Sequence, residues 1–378
     1  MKRESTYESW IQAEGIPILG GFGIEDINAV AKEPWSRTGG KGAFLQLKGL
    51  EGFTGVYVGE IFSGGALNPE KHLYEEMIYI LQGMGATEVW SNSAQKVQFE
   101  FQPGSLFALP LNSWHRLVNG SKEPVIYLAV TSAPLIMDLL HDPEFIFGCD
   151  YTFDQRFDGR PDYFTPTTKR GESLKGFWVW ESNFMSDIVS APLDSAERKG
   201  AGVRITAVEM SGSSLVGHIA EWPIGRYHKA HHHQGGAVLL ILRSEGYTLM
   251  WPQEAGIRPY ESGRGDQVIK VDWKVGSVFS PPTGWFHQHF NTGAEKARQL
   301  AFRYSGHSGK YLLGIVKALN KEGVRTSTRD GGTLIEYEDE DPQIRRDYEA
   351  TVTRRGGMMQ MPKEVYQRLQ SASADGRM

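Results

Sequence analysis

Histidines at regular short spacing are the residues of this sequence best suited to chemistry. His231, His232 and His233 are consecutive, and a Gly- and Pro-containing turn leads to a further histidine, His287. Alternate residues of a β-strand share a face, so His231 and His233 can point the same way. His287 would come from a separate strand. Imidazole is a ligand for Zn, Cu, Fe and Ni, and the pattern therefore predicts a metal site.

The same two-part pattern occurs earlier in the chain in a diverged form. It contains His72 and Glu76, followed by His115. A shift of 161 positions aligns the first part with the later copy, and a shift of 172 aligns the second part. The difference of 11 residues fits a longer turn at 252–266 in the later copy. An internal repeat of this kind predicts two similar structural units, each with its own ligand set.

The two copies differ at the predicted ligand positions. Ala237 stands in the second copy where the first has Glu76, which leaves three histidines and no carboxylate. Glu70 stands in the first copy where the second has His231. The predicted ligands of the second copy are His231, His233 and His287. Those of the first copy are His72, Glu76 and His115, with Glu70 as a possible fourth.

Short strands must position these side chains. Apolar or alternating runs of a few residues, bounded by Gly, Pro, Asn or Ser, follow one another in both copies. The 44 glycines, 18 prolines and 11% aromatic residues suit such strands and their tight turns. At 378 residues the chain exceeds the size at which a single core stops growing, so two domains are expected.

Bulk composition excludes several classes of partner. The net charge of −5 and a pI of about 6.2 argue against nucleic acid, and no apolar run is long enough to span a bilayer. The first residues lack the apolar stretch of a signal peptide. A single cysteine, Cys149, excludes an intrachain disulfide and fits a reducing compartment. We expect a cytoplasmic protein that acts on a small molecule.

The spacing resembles the two signature motifs of the cupin superfamily. Residues 276–291 match Gly-x5-Pro-x-Gly-x2-His-x3-Asn in full, and the first copy has one change, Asn112 in place of the second glycine. The two copies together cover residues 40 to 305, so the chain resembles a bicupin. The resemblance implies an all-β fold of two tandem jelly-roll barrels, with the motif side chains pointing inward onto a divalent metal.

The resemblance also gives the expected division of the chain. An N-terminal arm and the first barrel would occupy 1–140, a packed linker 141–178, the second barrel 179–308, and a C-terminal helix with a charged arm 309–378. Short helices are predicted at Ala133–Leu140 and 310–320. The charged segment from Tyr337 to Tyr348 is expected at the surface or in a dimer contact. Bicupins often assemble, so a homo-oligomer is expected.

Three functions are compatible with these ligand sets. The second barrel resembles the three-histidine ferrous sites of gentisate- and diketone-cleaving cupin dioxygenases. This favours a non-haem Fe(II) dioxygenase acting on a chelating hydroxy-aromatic acid or dicarbonyl. The second function is a non-oxidative decarboxylase, lyase or isomerase that uses Mn, Zn or Ni, with Glu70 or Glu76 as a base. The third is a bicupin that binds a small molecule without turnover.

Further polar residues around the second motif are candidates for the substrate pocket. Arg303 lies among apolar neighbours on the last strand, where its guanidinium is a candidate carboxylate clamp or a partner in a salt bridge. We include it with the three histidines in the predicted catalytic set. The candidate pocket residues are Arg226, Tyr227, Trp285 and His289. Other polar residues nearby are His228, Lys229, Gln234 and Gln288.

Overall fold

Strands dominate the fold, as the sequence predicts. The structure, a computed structural model, describes residues 5–93, 95–167, 170–172, 178–233, 236–304 and 326–367. The helices in these ranges are α1 (Thr6–Ala13), α2 (Ala133–Leu140), α3 (Pro143–Gly148) and α4 (Pro342–Arg354). The range of α2 confirms one predicted helix, whereas the helix predicted at 310–320 lies outside the described residues. None of the described helices has the length and apolar character needed to cross a membrane.

The first half of the chain forms two sheets. Its strands are β1 (Ile18–Gly21), β2 (Gly23–Ile24), β3 (Glu33–Trp35), β4 (Gly40–Leu47), β5 (Gly55–Ile61), β6 (Glu76–Gln82), β7 (Gly85–Trp90), β8 (Val97–Phe101), β9 (Leu106–Leu109), β10 (Trp114–Val118) and β11 (Val125–Thr131). The larger sheet contains the order β1-β4-β5-β11-β6-β9, and the smaller one the order β10-β7-β8. Side chains of both sheets, such as Ile78 and Leu117, pack in one core.

The second half repeats this arrangement. Its strands are β12 (Arg170–Glu172), β13 (Trp178–Glu181), β14 (Phe184–Met185), β15 (Asp194–Ser195), β16 (Arg204–Glu209), β17 (Leu215–Trp222), β18 (Val238–Arg243), β19 (Gly246–Trp251), β20 (Ile269–Trp273), β21 (Val278–Phe279), β22 (Phe286–Asn291) and β23 (Ala297–Tyr304). The larger sheet contains β13-β16-β17-β23-β18-β21, in the same spatial order as its counterpart, and the smaller sheet is β20-β19-β22. The predicted all-β fold with two tandem barrels is confirmed.

Each barrel lends a short strand to the other. Strand β2, from the N-terminal segment, pairs with β21 of the second barrel. Strand β14, from the beginning of the second half, pairs with β9 of the first. The two lent strands are related by the same 161-residue shift as the repeat, so the exchange is reciprocal. A shared apolar core, to which Leu128 and Phe302 both belong, holds the two larger sheets together.

The charged C-terminal segment packs against the second barrel and does not lie on the surface. Tyr337 and Tyr348 are buried in an aromatic core with Phe290, which is on the outer face of β22. Asp341 is fully buried, and its carboxylate accepts hydrogen bonds from the backbone of Tyr260. The segment can therefore be buried. Backbone N–H groups donate hydrogen bonds to its buried carboxylate, and its aromatic side chains pack against apolar neighbours. The high charge of the segment predicts a surface arm or a dimer contact, and the surface position is wrong for the buried residues Tyr337, Asp341 and Tyr348.

Two candidate metal centres

The first candidate centre lies inside the first barrel. Glu76 begins β6, His115 is on β10, and His72 lies in the segment between β5 and β6. Their ligand atoms all lie within 4.8 Å of one another, and all three residues are buried. The Oε2 atom of Glu76 is 3.3 Å from Nε2 of His72 and 3.8 Å from Nε2 of His115. Metal bonds of roughly 2.0–2.2 Å bring ligand atoms to similar separations, so the group fits a divalent cation.

Neighbouring tyrosines hold this first centre in place. The hydroxyl of Tyr57 donates a 2.5 Å hydrogen bond to the other oxygen of Glu76, and the ring of Tyr74 stacks on His72 at 3.6 Å. Burial by itself would raise the pKa of Glu76, but the hydrogen bond and charge of His72, together with His115 and Tyr57, outweigh it and lower the pKa. The carboxylate is therefore ionised at neutral pH, as a metal ligand requires.

Glu70 stands at the edge of the first centre. Its backbone forms a bridge with that of His115, and its Oε1 atom is 3.9 Å from Nε2 of this histidine. Burial raises the pKa of Glu70 to about 7, with the nearby charge of Glu76 acting in the same direction. Glu70 therefore lies beside the first centre but outside the group of three residues whose ligand atoms all lie within 4.8 Å, and its role as a fourth ligand stays a prediction.

The second candidate centre is formed by three histidines. His231 forms a backbone bridge with His287 on β22, in the same way that Glu70 bridges His115 in the first barrel. The ring centres of these two histidines are 4.4 Å apart, and that of His233 is 4.8 Å from His287. The ligand atoms of the three residues again lie within 4.8 Å. His232 differs from its neighbours, because its ring packs edge-on against Phe286.

Backbone carbonyls orient the ligand histidines in both centres. The Nδ1 atom of His72 lies 2.8 Å from the carbonyl of Tyr74, and that of His115 lies 3.0 Å from the carbonyl of Ser113. His231 and His287 have the same contact at 3.1 Å, each with the carbonyl two residues before it. This contact fixes the proton on Nδ1 and leaves Nε2 for a metal, an arrangement common among metal-binding histidines. Both sets therefore fit a divalent metal.

The cavity of the second barrel is polar and basic. It is lined by Lys199, His218, His228, His231, His233, Ala237, Leu239, His287, His289, Gln299, Ala301 and Arg303. None of these described lining residues is acidic. The open space is about 20 Å³, little more than one water molecule needs. Burial lowers the pKa of Arg303 to about 10, so the guanidinium is still charged at neutral pH. The Nζ atom of Lys199 lies 3.3 Å from Nε2 of His218.

The corresponding interior of the first barrel is more aromatic. The repeat places Tyr57 where the second barrel has His218, and Tyr127 where it has Gln299. The strand pairing agrees, because Tyr57 opposes Ala129 and His218 opposes Ala301 at equivalent positions. Burial raises the pKa of both tyrosines well above the ordinary value. The candidate ligands of the first barrel thus have neutral phenols around them, and those of the second barrel have basic groups.

Of the additional residues predicted for the second site, two line the cavity. Arg303 and His289 both face it. Tyr227 points to the opposite side of its strand segment and donates a hydrogen bond to Glu340 of the C-terminal segment. Arg226 and Trp285 are not among the described lining residues. Of the polar neighbours, Lys229 forms an ion pair with Glu336, and Gln234 lies outside the described residues.

Two basic cavity residues were not predicted. His218 is a polar residue in an otherwise largely apolar strand, β17, and this was a signal that could have identified it. Lys199 lies in a single 3-10 turn, Glu197–Lys199, far from both motifs in sequence. Nothing in its local sequence distinguishes it from a surface lysine, although it is only 7% exposed.

Gln288 shows how the C-terminal segment supports the second centre. It lies between His287 and His289 and faces away from the cavity. Its Nε2 donates to the carbonyl of His228 and to Oε2 of Glu340. Burial raises the pKa of Glu340 to about 7, against the opposing effect of the hydrogen bonds from Tyr227 and Gln288. These contacts attach the C-terminal segment to β22, the strand that carries the candidate ligand His287.

Comparison with known proteins agrees with this geometry. Residues 58–131, in the first barrel, match the family model described as "Cupin domain". None of the curated proteins matches the sequence. A solved structure of Bacillus subtilis oxalate decarboxylase, described with Mn(II) centres, is 11% identical and has a TM-score of 0.50. The match covers 76% of this chain and 78% of that one. A deletion mutant of the same enzyme is 11% identical over 77% and 78% of the chains, with a TM-score of 0.49.

Proposed function

We propose that this chain, a bicupin, is a metal-dependent enzyme whose substrate is a small carboxylate bound in the second barrel. The observation that carries the proposal is the charge of the cavity there. Lys199 and Arg303 line it beside the three histidines, and no described lining residue is acidic. A dication with three neutral ligands keeps its full positive charge, and two further cations reinforce it. Such a cavity favours an anion.

The three-histidine set also suits substrate binding. Three protein ligands leave positions on a metal that a substrate oxygen can take. A metal bound there would polarise that oxygen as a Lewis acid. Arg303 would hold a carboxylate through its planar group of N–H donors, and Lys199 would neutralise the charge from the side of His218. These two side chains therefore orient the substrate.

We assign non-oxidative chemistry at the carbon next to the carboxylate, as a decarboxylase, lyase or isomerase. These reactions share a proton transfer at carbon, and the Lys199–His218 pair holds a proton inside the cavity at 3.3 Å. In a decarboxylation the C–C bond electrons stay on the remaining carbon as CO2 leaves, and the proton from this pair goes to that carbon. Oxalate decarboxylase, a decarboxylase by name, has the same two-barrel fold.

The first barrel would hold its metal more firmly and with less charge. Glu76 contributes a negative charge, and Glu70 stands within reach of the same centre. Carboxylates favour Mn(II) among the candidate metals, whereas imidazole ligands also suit Fe, Zn and Ni. We propose that this centre supports the fold or a second step and does not bind the anionic substrate.

An Fe(II) dioxygenase is the second candidate. The three-histidine set of the second barrel favours it, since such a set leaves room for a chelating substrate and O2. The open space is about 20 Å³, so a hydroxy-aromatic acid would have to displace more of the lining side chains than a short carboxylic acid, and we therefore place the oxidative reaction second.

Product analysis in D2O separates the two candidates. Protein purified anaerobically without a tag would be loaded with Mn(II) or Fe(II) and given oxalate, malonate, pyruvate, oxaloacetate, lactate or acetylacetone. We expect a product that carries solvent deuterium on carbon, equally under argon and air, and none from a His233→Ala variant. Stoichiometric O2 consumption, with no product under argon, would establish the dioxygenase. An absence of turnover with every metal and acid would contradict both enzymes.

A further inference from the structure

A buried amide in the second barrel has no assigned role in the proposed reaction. Gln299 is on β23, is 3% exposed and lines the cavity. Its Oε1 atom is buried and has no hydrogen-bond partner among the described residues. A buried carbonyl oxygen without a donor is destabilising, and such groups in folded proteins are usually satisfied by water or a ligand. The cavity is thus built to receive a hydrogen-bond donor at this position.

The repeat supports a ligand-related role for Gln299. The equivalent residue of the first barrel is Tyr127, which is buried and packs edge-on against Tyr57 at 6.0 Å. Tyrosine fills the same space with an aromatic ring, whereas glutamine provides an amide oxygen. The difference occurs in the barrel that also has Lys199 and Arg303. Two cations and one acceptor therefore line the same cavity.

These three side chains together define the chemistry of a ligand. Lys199 and Arg303 have only N–H donors, so they recognise acceptor oxygens and in particular a carboxylate. The oxygen of Gln299 only accepts, so it recognises an O–H or N–H group. An N–H group in the form of an amine would add positive charge beside two cations, which the cavity disfavours. A hydroxyl is a neutral donor that a small acid can carry without added positive charge, so it is the group that we assign to Gln299.

We propose that the second barrel selects a small aliphatic hydroxy acid. Its carboxylate would lie toward Lys199 and Arg303, and its hydroxyl would donate to Gln299. The open space is about 20 Å³, so any ligand must displace lining side chains, and a short chain requires a smaller displacement than an aromatic ring. This inference deepens the proposed function and rests on it for the metal that completes the site.

Binding of four small probes tests the proposal without relying on turnover. Lactate carries both groups, propionate lacks the hydroxyl, and lactamide and methyl lactate both keep the hydroxyl but lack the charge. Calorimetric titration of the metal-loaded protein should give an affinity for lactate at least about tenfold higher than for each of the other three. Equal affinities for lactate and propionate would overturn the assignment of the hydroxyl. Equal affinities for lactate and lactamide would overturn the assignment of the carboxylate.

Variants identify the side chains responsible. In Gln299→Leu the ratio of lactate to propionate affinity should fall to about one, while lactate is still preferred to lactamide. In Lys199→Met the preference over lactamide should fall by about tenfold. Lys229→Met is the matched control, because Lys229 is outside the cavity and pairs with Glu336. Unchanged ratios in both cavity variants would contradict the proposal, and circular dichroism with metal content verifies that each variant is folded.

The binding experiment tests the hydroxy-acid inference separately from the turnover experiment that tests the proposed function. If lactate shows the expected affinity ratios but no acid is turned over, the selectivity stands and the enzymatic proposal fails. If acids are turned over and lactate binds no better than propionate, the enzyme stands and the hydroxy-acid inference fails.

Discussion

The two barrels share a strand order and a ligand geometry but differ in charge. In the first, Glu76 bonds to Tyr57 and lies between two histidines, and phenol rings form much of the surroundings. In the second, Ala237 takes the position of that carboxylate, and the space beside it is lined by histidines, a lysine and an arginine. The absence of the carboxylate at Ala237 thus coincides with the presence of Lys199 and Arg303 among the described residues that line the cavity.

This difference indicates how two copies of one fold can take different roles in the same chain. A carboxylate ligand strengthens metal binding and reduces the attraction of the centre for anions. In the function proposed above, its loss would weaken metal binding at the second centre but would leave a bound metal with its full positive charge and with open positions for a substrate. Strands β2 and β14 each pair with a strand of the other barrel, and this exchange holds the two barrels in one unit. The residues of the two centres can therefore differ while the barrels stay joined.

Loss of one ligand histidine should have the largest effect. His287→Ala removes one of three ligands in the second barrel and should reduce metal affinity there by more than about 100-fold, beyond the range typical of outer partners. Elemental analysis after dialysis should then show metal in the first barrel alone. His232→Ala is the matched control, since His232 packs on Phe286 away from the centre. Equal metal content in wild type and His287→Ala would show that these histidines bind no metal.

Removal of the carboxylate of the first barrel should have the next largest effect. Glu76→Gln keeps the shape of the side chain and removes the ionised ligand. Metal affinity of the first barrel should fall by about 10- to 100-fold, while the second barrel is unaffected. Competition with a chromophoric chelator would measure both affinities. A parallel loss in the second barrel would show that the centres are not independent.

Introduction of a carboxylate at the second centre should make its charge similar to that of the first centre. Ala237→Glu introduces at the second centre the charge present in the first, and Ala237→Gln introduces the same bulk without charge. We expect lactate affinity to be about tenfold lower in the glutamate variant than in the glutamine variant, because the added charge offsets Lys199 and Arg303. Equal affinities in the two variants would argue that charge does not control anion binding.

Weakening the contact between the C-terminal segment and the second barrel should have the smallest effect. Tyr227→Phe removes the hydrogen bond to Glu340 and should lower the free energy of unfolding by about 1 kcal/mol. Denaturant titration would measure it, with Tyr151→Phe as the control because Tyr151 is 67% exposed. Metal affinity of the first barrel should not change. A loss of metal from the first barrel in Tyr227→Phe would mean that the C-terminal segment supports both barrels.

The sequence predicted the two-barrel fold and both ligand groups because these are repeated and local. Turn residues recur at fixed offsets, and side chains two apart share a face, so His231 and His233 could be placed together. His289 and Arg303 lie within or close to the motif strands and were also brought to the cavity. Their roles in binding and catalysis remain predictions.

Other features depended on contacts that the sequence does not encode locally. Tyr227 was expected in the pocket, but the bridge of its segment to Phe290 turns it outward. Lys199 reaches the cavity from a 3-10 turn far from the histidine motif in sequence, and Gln299, on the same strand as Arg303, was not singled out as a pocket residue. The lent strands β2 and β14 have only two residues each, too few for a periodicity signal. The sequence places the C-terminal segment at the surface because charged residues dominate it. Its aromatic residues, Tyr337 and Tyr348, nevertheless pack it against the second barrel.

The most direct test of the account is the affinity for lactate of two variants, each lacking metal in one barrel. His115→Ala disables the first centre and His233→Ala the second, and elemental analysis establishes which metal each variant has lost. We predict that His115→Ala binds lactate as the wild type does, while His233→Ala loses at least about tenfold in affinity. Retention of binding in His233→Ala together with its loss in His115→Ala would place the substrate in the first barrel and contradict the account.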